Sequence, residues 1–218
     1  MIILTAGHTG PNSGAQCAET HFDEGAENIW LRNRIAEILT NKYGLVVLVD
    51  EDRASLQLLV KELRSPTDCT DNSDYRNYKN YRDNSDNRSY RVQPSVDWRH
   101  EPYIPTSEDI VIDLHFNAHS NPQARGAETI VADDATTLEL RFASRLAHTT
   151  ADALDIPLRS IKSESETPHR RLGMLHLTPQ SIILEVCFCT SPEDVEAYRK
   201  NREKLAEDLA KNIAELVK

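Results

Sequence analysis

The stretch DLHFNAHSNPQARGAET, Asp113 to Thr129, carries two histidines four residues apart, where the apolar run DIVIDLHF gives way to Asn, Ser, Pro and Gly. A neutral imidazole can hold a metal ion or move a proton near neutral pH. His115 closes the apolar run, whereas His119 lies in what reads as an extended loop. His8, within AGHTGPNSGA, ends another apolar run, and Glu185 stands near the end of a third, SIILEVCF. In open α/β sheets, ligands bind beyond the carboxyl ends of the strands. A single strand-end histidine has a structural explanation as a hydrogen-bonded residue, and a single glutamate as an ion-pair partner. Three such residues on one sheet edge point to a site.

Glu27 is a fourth candidate. It lies four residues before Leu31 and so continues the apolar stripe of the first predicted helix at its N-terminal end. A carboxylate facing the sheet there is costly unless something positive meets it, and Arg34 is one possible partner. Glu24, one turn earlier, is the fallback, and a charge favouring the helix N-terminus is the purely structural explanation. Two imidazoles and one carboxylate suit a catalytic zinc with an open fourth position. Attack of an ion-activated water on a substrate carbonyl also needs a carboxylate that is not a ligand to carry the proton, and Glu185 suits that role. On this reading His115 completes a metal site begun by His8, with Glu27, or Glu24 as the fallback, offering the carboxylate. His119 ranks below them as a substrate contact or a simple loop residue, and His169 and His176 are second-tier candidates. No GxSxG, GxGxxG or P-loop pattern is present.

Strands are expected at 1–7, 44–50, 109–116, 127–132 and 181–188. Helices are expected at 26–42, where Leu31, Ile35, Ile38 and Leu39 keep helical spacing, and at 54–64, 136–154 and beyond 192. Gly44 stops the first helix. Ser191 caps the last one, with Pro192 at its first position and Asp194 closing a capping box. This alternation predicts an α/β fold: one domain, 1–218, with a mainly parallel twisted sheet and helices on both faces. Residues 65–107 interrupt the rhythm. DCTDNSDYRNYKNYRDNSDNRSYR is nearly free of aliphatic residues and reads as a long polar insertion, a lid, a binding surface or a plain loop.

At 218 residues the chain can bury a full core without a metal or disulfide. A net charge of −10 argues against nucleic acid as a partner. MIILTAGHTG lacks the basic n-region and long apolar stretch of a signal peptide, and no segment is long enough to cross a bilayer. Synthesis in the cytoplasm without membrane insertion is therefore expected. Of the four cysteines, Cys187 and Cys189 read as small buried apolar side chains, and a disulfide framework is not expected.

Four segments together resemble the zinc-dependent N-acetylmuramoyl-L-alanine amidases called amidase 3. AGHTGPNSGA is similar to that family's first metal-histidine loop, with Thr9 where Gly is usual. EGAENIWLRNRIAEIL resembles the helix that begins with the metal-binding Glu. DIVIDLHFNAHSNPQARGAET resembles the strand with the second metal histidine and the Ala-Arg-Gly turn after it. SIILEVCFCTSPEDVEAY resembles the strand with the catalytic Glu and the helix that follows, with Ser191 in place of Asn. The resemblance implies one Zn²⁺ on His8, Glu27 and His115, with Glu185 as general base and acid. It implies peptidoglycan as substrate, cut between N-acetylmuramic acid and the L-alanine of the stem peptide. With no signal peptide in view, the enzyme would act on the wall after release, as a phage-type lysin or as a wall hydrolase freed when its own cell lyses. The alternatives are a zinc peptidase and a wall-binding protein without catalysis.

Overall fold

The computed structural model describes residues 1–8, 14–17, 19–50 and 105–217. The helix expected at 54–64, and all but the last three residues of the 65–107 insertion, lie outside these. The described strands are β1 (Ile2–Ala6), β2 (Gln16–Cys17), β3 (Phe22–Asp23), β4 (Val47–Val49), β5 (Ile110–Asn117), β6 (Ala127–Val131), β7 (Leu158–Ser163) and β8 (Ser181–Phe188). The described α-helices are α1 (Glu24–Tyr43), α2 (Thr137–Leu154) and α3 (Pro192–Leu216).

Six strands form one sheet in the order β4-β1-β5-β8-β6-β7. All pairings are parallel except β6 with β8, so the sheet is mixed and mostly parallel. Alternation along each strand sorts the side chains between two faces. Ile2, Leu4, Ile112, Leu114, Ile182 and Leu184 join the buried faces of the three helices in the main core. On the opposite face, Ile3 and Val111 pack with Met174, and Ile130 and Ile183 with Leu175, both from the 3-10 turn Gly173–His176. β7 is too polar and too exposed to show as a strand by apolar alternation.

Helix α1 starts two residues before the expected position because the Asp23 side chain accepts from Ala26 N at 3.1 Å and caps it. Its buried stripe runs through Glu24, Asn28, Arg32 and Ile35. Arg32 is only 1% exposed, and its Nη1 donates to Asp50 Oδ1 at 2.6 Å at the end of β4. Burial outweighs the guanidinium and lifts the Asp50 carboxyl to about 7.

At the start of α3, Ser191 accepts from Asp194 N at 3.3 Å, as expected of an N-cap. The second half of the expected box is replaced. The fully buried Asp194 carboxylate accepts from Phe188 N at 3.2 Å, Gly126 N at 2.7 Å and Arg125 Nε at 2.9 Å. It thus ties the turn before β6 to the end of β8.

The cysteines also depart from expectation. Cys17 and Cys189 pair as a disulfide, while Cys187 is free and buried. The segment before α1 folds down onto the end of β8, bringing these two residues together. Thr20 Oγ1 donates to Cys189 O at 2.7 Å, and Phe22 packs edge-on against Phe116 and Tyr198. Such a link restricts the unfolded chain and typically contributes about 2–4 kcal/mol. Denaturant titrations with and without a reductant should differ by about that amount. Coincident curves would mean that the two thiols do not pair in solution.

Candidate metal centre

His8 stands just beyond β1, with its backbone in the left-handed region at φ 59°. His115 is the sixth residue of β5 and 8% exposed. Their rings meet edge to face, 5.0 Å between centroids. The backbone between them is pressed close, for a Cβ on Gly7 would overlap the His115 ring. Gly7→Ala should therefore push the two imidazoles apart and weaken metal binding by about 10–100-fold, in the range typical of outer-shell changes. Titration with zinc would measure this, and unchanged affinity would show that the ring has room to move.

The carboxylate that joins them is Glu24. Ligand atoms of His8, Glu24 and His115 all lie within 4.8 Å of one another, the single cluster of three or more metal-capable side chains among the described residues. Glu24 is 2% exposed. Its Oε2 accepts from Ala15 N at 2.6 Å, and its Oε1 accepts from Phe116 N at 3.1 Å and lies 3.5 Å from His115 Nδ1. Two donors about 2.1 Å from a tetrahedral ion stand about 3.4 Å apart. Burial by itself would raise the Glu24 carboxyl, but His115, the Ala15 N–H and His8 hold it below its ordinary value.

Glu27 faces elsewhere. Its Oε2 accepts from Tyr198 Oη at 3.1 Å and Arg202 Nη1 at 2.9 Å, both on α3. The positive partner expected for it exists, but it is Arg202. Arg34 instead bonds Glu37 and Glu203. Of the two carboxylates in the first turns of α1, Glu24 and not Glu27 lies with the two histidines. Glu24 shares its stripe with Asn28, which bonds Gly7 O, whereas Glu27 lies further round the helix and faces Tyr198 and Arg202 of α3.

Asp113 was not foreseen. Its Oδ2 lies 2.9 Å from His115 Nε2, and its Oδ1 accepts from Thr5 Oγ1 at 2.6 Å. With Nε2–H directed to Asp113, the Nδ1 lone pair is left for Glu24's side of the ring. Burial opposes protonation of His115, but the charges and hydrogen bonds of Asp113 and Glu24 raise its pKa well above the ordinary value. His8 moves the other way, because burial lowers it more than Glu24 raises it. Asn28 Nδ2, donating to Gly7 O at 2.8 Å, ties α1 to the strand end that carries His8.

Glu185 is the direct neighbour of His115 in the β5–β8 register. Its Oε2 is buried without a hydrogen-bond partner among the described residues. Burial raises its carboxyl to about 7; His115 opposes this, while Glu24, Glu128 and Asp113 add to it. His119 stands outside the cluster. Its N–H donates to Thr190 Oγ1 at 3.1 Å and its Nδ1 accepts from Asn121 N at 2.9 Å, the bonds of a turn residue. His176 Nε2 lies 2.8 Å from Glu164 Oε1, and His169 is exposed; neither joins the cluster.

A family profile described as N-acetylmuramoyl-L-alanine amidase, Amidase_3, matches residues 2–217. The chain belongs to this amidase family. Among solved structures, an N-acetylmuramoyl-L-alanine amidase from Clostridium difficile 630 shares 18% identity at TM-score 0.62, over 99% of this chain and 93% of that one. The CwlD amidase from Clostridioides difficile, solved with the GerS lipoprotein, shares 19% at TM-score 0.61, over 99% and 96%. The catalytic domain of the CD27L endolysin, targeting Clostridia difficile, shares 20% at TM-score 0.53, over 99% and 95%. These likenesses concern the fold. No curated protein sequence matches the chain significantly. Among the described residues of this amidase, no helix is long and apolar enough to cross a membrane.

Proposed function

We propose that this amidase hydrolyses the amide between the lactyl group of N-acetylmuramic acid and the L-alanine of the stem peptide in peptidoglycan. It would do so with one Zn²⁺ held by His8, Glu24 and His115. The observation that carries the reading is the convergence of two imidazoles and one carboxylate from three elements, beside a buried glutamate oxygen with no partner. Three protein ligands of this kind leave a position open for water or substrate. When bound, zinc supplies a Lewis acid that polarises the scissile carbonyl and makes water acidic enough to react near neutral pH.

The chain's own residues divide the remaining work. Asp113 fixes the orientation of the His115 ring. Glu24, held by the Ala15 and Phe116 N–H groups, contributes the one anionic ligand and lowers the charge of the site. Glu185 takes the proton from the attacking water and passes it to the leaving nitrogen of L-alanine. Its burial raises its pKa and so makes it a stronger base than a solvated carboxylate. A lysin-like setting, in which the enzyme reaches the wall after release, accompanies this proposal; an export sequence upstream in the gene would remove it.

Digestion of purified cell wall, with and without a chelator, tests the reading. An amidase frees the amino group of L-alanine and exposes no new reducing sugar, and the chelator abolishes the release. Cleavage within the stem peptide would mark a zinc peptidase. Binding without release would mark a wall-binding protein, and indifference to chelation would remove the metal from the account.

A further inference from the structure

The row of chemical side chains does not stop at Glu185. In the β6–β8 register Glu185 stands opposite Glu128, so both project from the same face of the sheet. Glu128 is 1% exposed, yet it meets two cations and an amide. Asn117 Nδ2 donates to its Oε1 at 2.6 Å, Lys162 Nζ to the same oxygen at 2.9 Å, and Arg159 Nε to Oε2 at 2.7 Å. Arg159 Nη1 also donates to Arg125 O at 3.2 Å, and its guanidinium lies 5.0 Å from the centre of the Phe188 ring. One carboxylate neutralises one cation. The second leaves a net positive charge on β7, the edge strand. Both side chains remain about one-third exposed, Arg159 at 35% and Lys162 at 30%. Arg159 Nη2 has no partner among the described residues, so the fork keeps a donor for a ligand.

Resting on the peptidoglycan amidase reading, we propose that Arg159 and Lys162 form a subsite for a carboxylate of the stem peptide, on the leaving-group side of the scissile amide. The distance suits it. Their head groups gather over β6, one strand spacing of about 4.8 Å beyond Glu185. The carboxylate on the residue after L-alanine lies about two residues, roughly 7 Å, from the bond that breaks. Glu128 and Asn117 are positioning residues: they fix the cations in place and touch no substrate. The Phe188 ring, covered by the guanidinium, limits where Arg159 can swing.

Two substrates of defined structure test this: N-acetylmuramoyl-L-alanyl-D-isoglutamate, and its counterpart with the α-carboxylate converted to an amide. The zinc-loaded enzyme should prefer the free carboxylate by about 10-fold in kcat/KM, with the difference carried mainly by KM and shrinking as salt rises. Lys162→Gln, which leaves Arg159 to balance Glu128, should bring the ratio close to one. Arg159→Lys, which keeps the charge but loses the fork, should give an intermediate ratio. Equal rates of the parent enzyme on the two substrates would overturn the subsite, as would a preference unchanged in both variants. Should either variant fail to fold, the parent's own ratio and its salt dependence decide. Failure to cleave either substrate would count against the amidase reading itself and is thereby distinguishable from loss of preference alone.

Discussion

Glu24→Ala is expected to lose its metal, whereas Glu27→Ala keeps a full complement. Zinc content of the two purified proteins, measured side by side, should be below one-tenth of an equivalent for the first and about one for the second. Glu24 supplies the only carboxylate of the described cluster, and two imidazoles alone make a weak site. Activity should disappear with the metal. Removing Glu27 instead leaves the Tyr198 hydroxyl, which is buried, and Arg202 without their shared acceptor. That should cost about 1–3 kcal/mol of stability and little activity. The reverse pattern, metal lost from the Glu27 variant and kept by the other, would mean that the first turn of α1 presents its other carboxylate to the histidines. His115→Ala should behave as Glu24→Ala does.

Glu185→Gln should retain the metal and lose about 10²–10⁴-fold in kcat, the span usual for a general acid–base group. The amide copies the shape of the carboxyl group but cannot accept a proton. The pH dependence carries the sign. As the proposed base, Glu185 would act only when ionised, so the rate should fall as pH drops through its pKa. Burial places that pKa at about 7 without an ion. A nearby dication favours the carboxylate, so the acid limb of the loaded enzyme should lie below 7. The residual rate of the glutamine variant should lack this limb. A limb that persists would belong to another group, and equal metal loss in the Glu185 and His115 variants would mean that the roles are assigned wrongly.

The strand-end residues were legible in the sequence because a strand shows itself by an unbroken apolar run and its end by the polar residues that follow. β5 and β8 lie near the centre of the sheet, and 109–116 and 181–188 match them within a residue. His115 and Glu185 inherited that accuracy. Glu24 and Glu27 did not, since both lie close to the apolar stripe of α1, and only the packing of α3 against that helix decides which one faces the histidines. Asp113 was within reach of the sequence, since it stands two residues before His115 on the same strand and so shares its face. Glu128, Arg159 and Lys162 were illegible for a different reason. Their roles arise from pairings between strands far apart in the chain, one of them antiparallel, and spacing along the chain carries no trace of these. The Cys17–Cys189 pair went unseen for the same cause, its members standing 172 positions apart in the chain.

The reversed direction of β6 has one more consequence. β5 arrives at the catalytic edge and β6 departs from it, so the linker 118–126 begins and ends beside the mouth of the site. Lengthening or exchanging that linker would reshape the approach for substrate without disturbing any strand register, provided that Asp194 keeps its hold on Gly126. Selection, natural or in the laboratory, thus has a cheap place to retune which walls the enzyme opens.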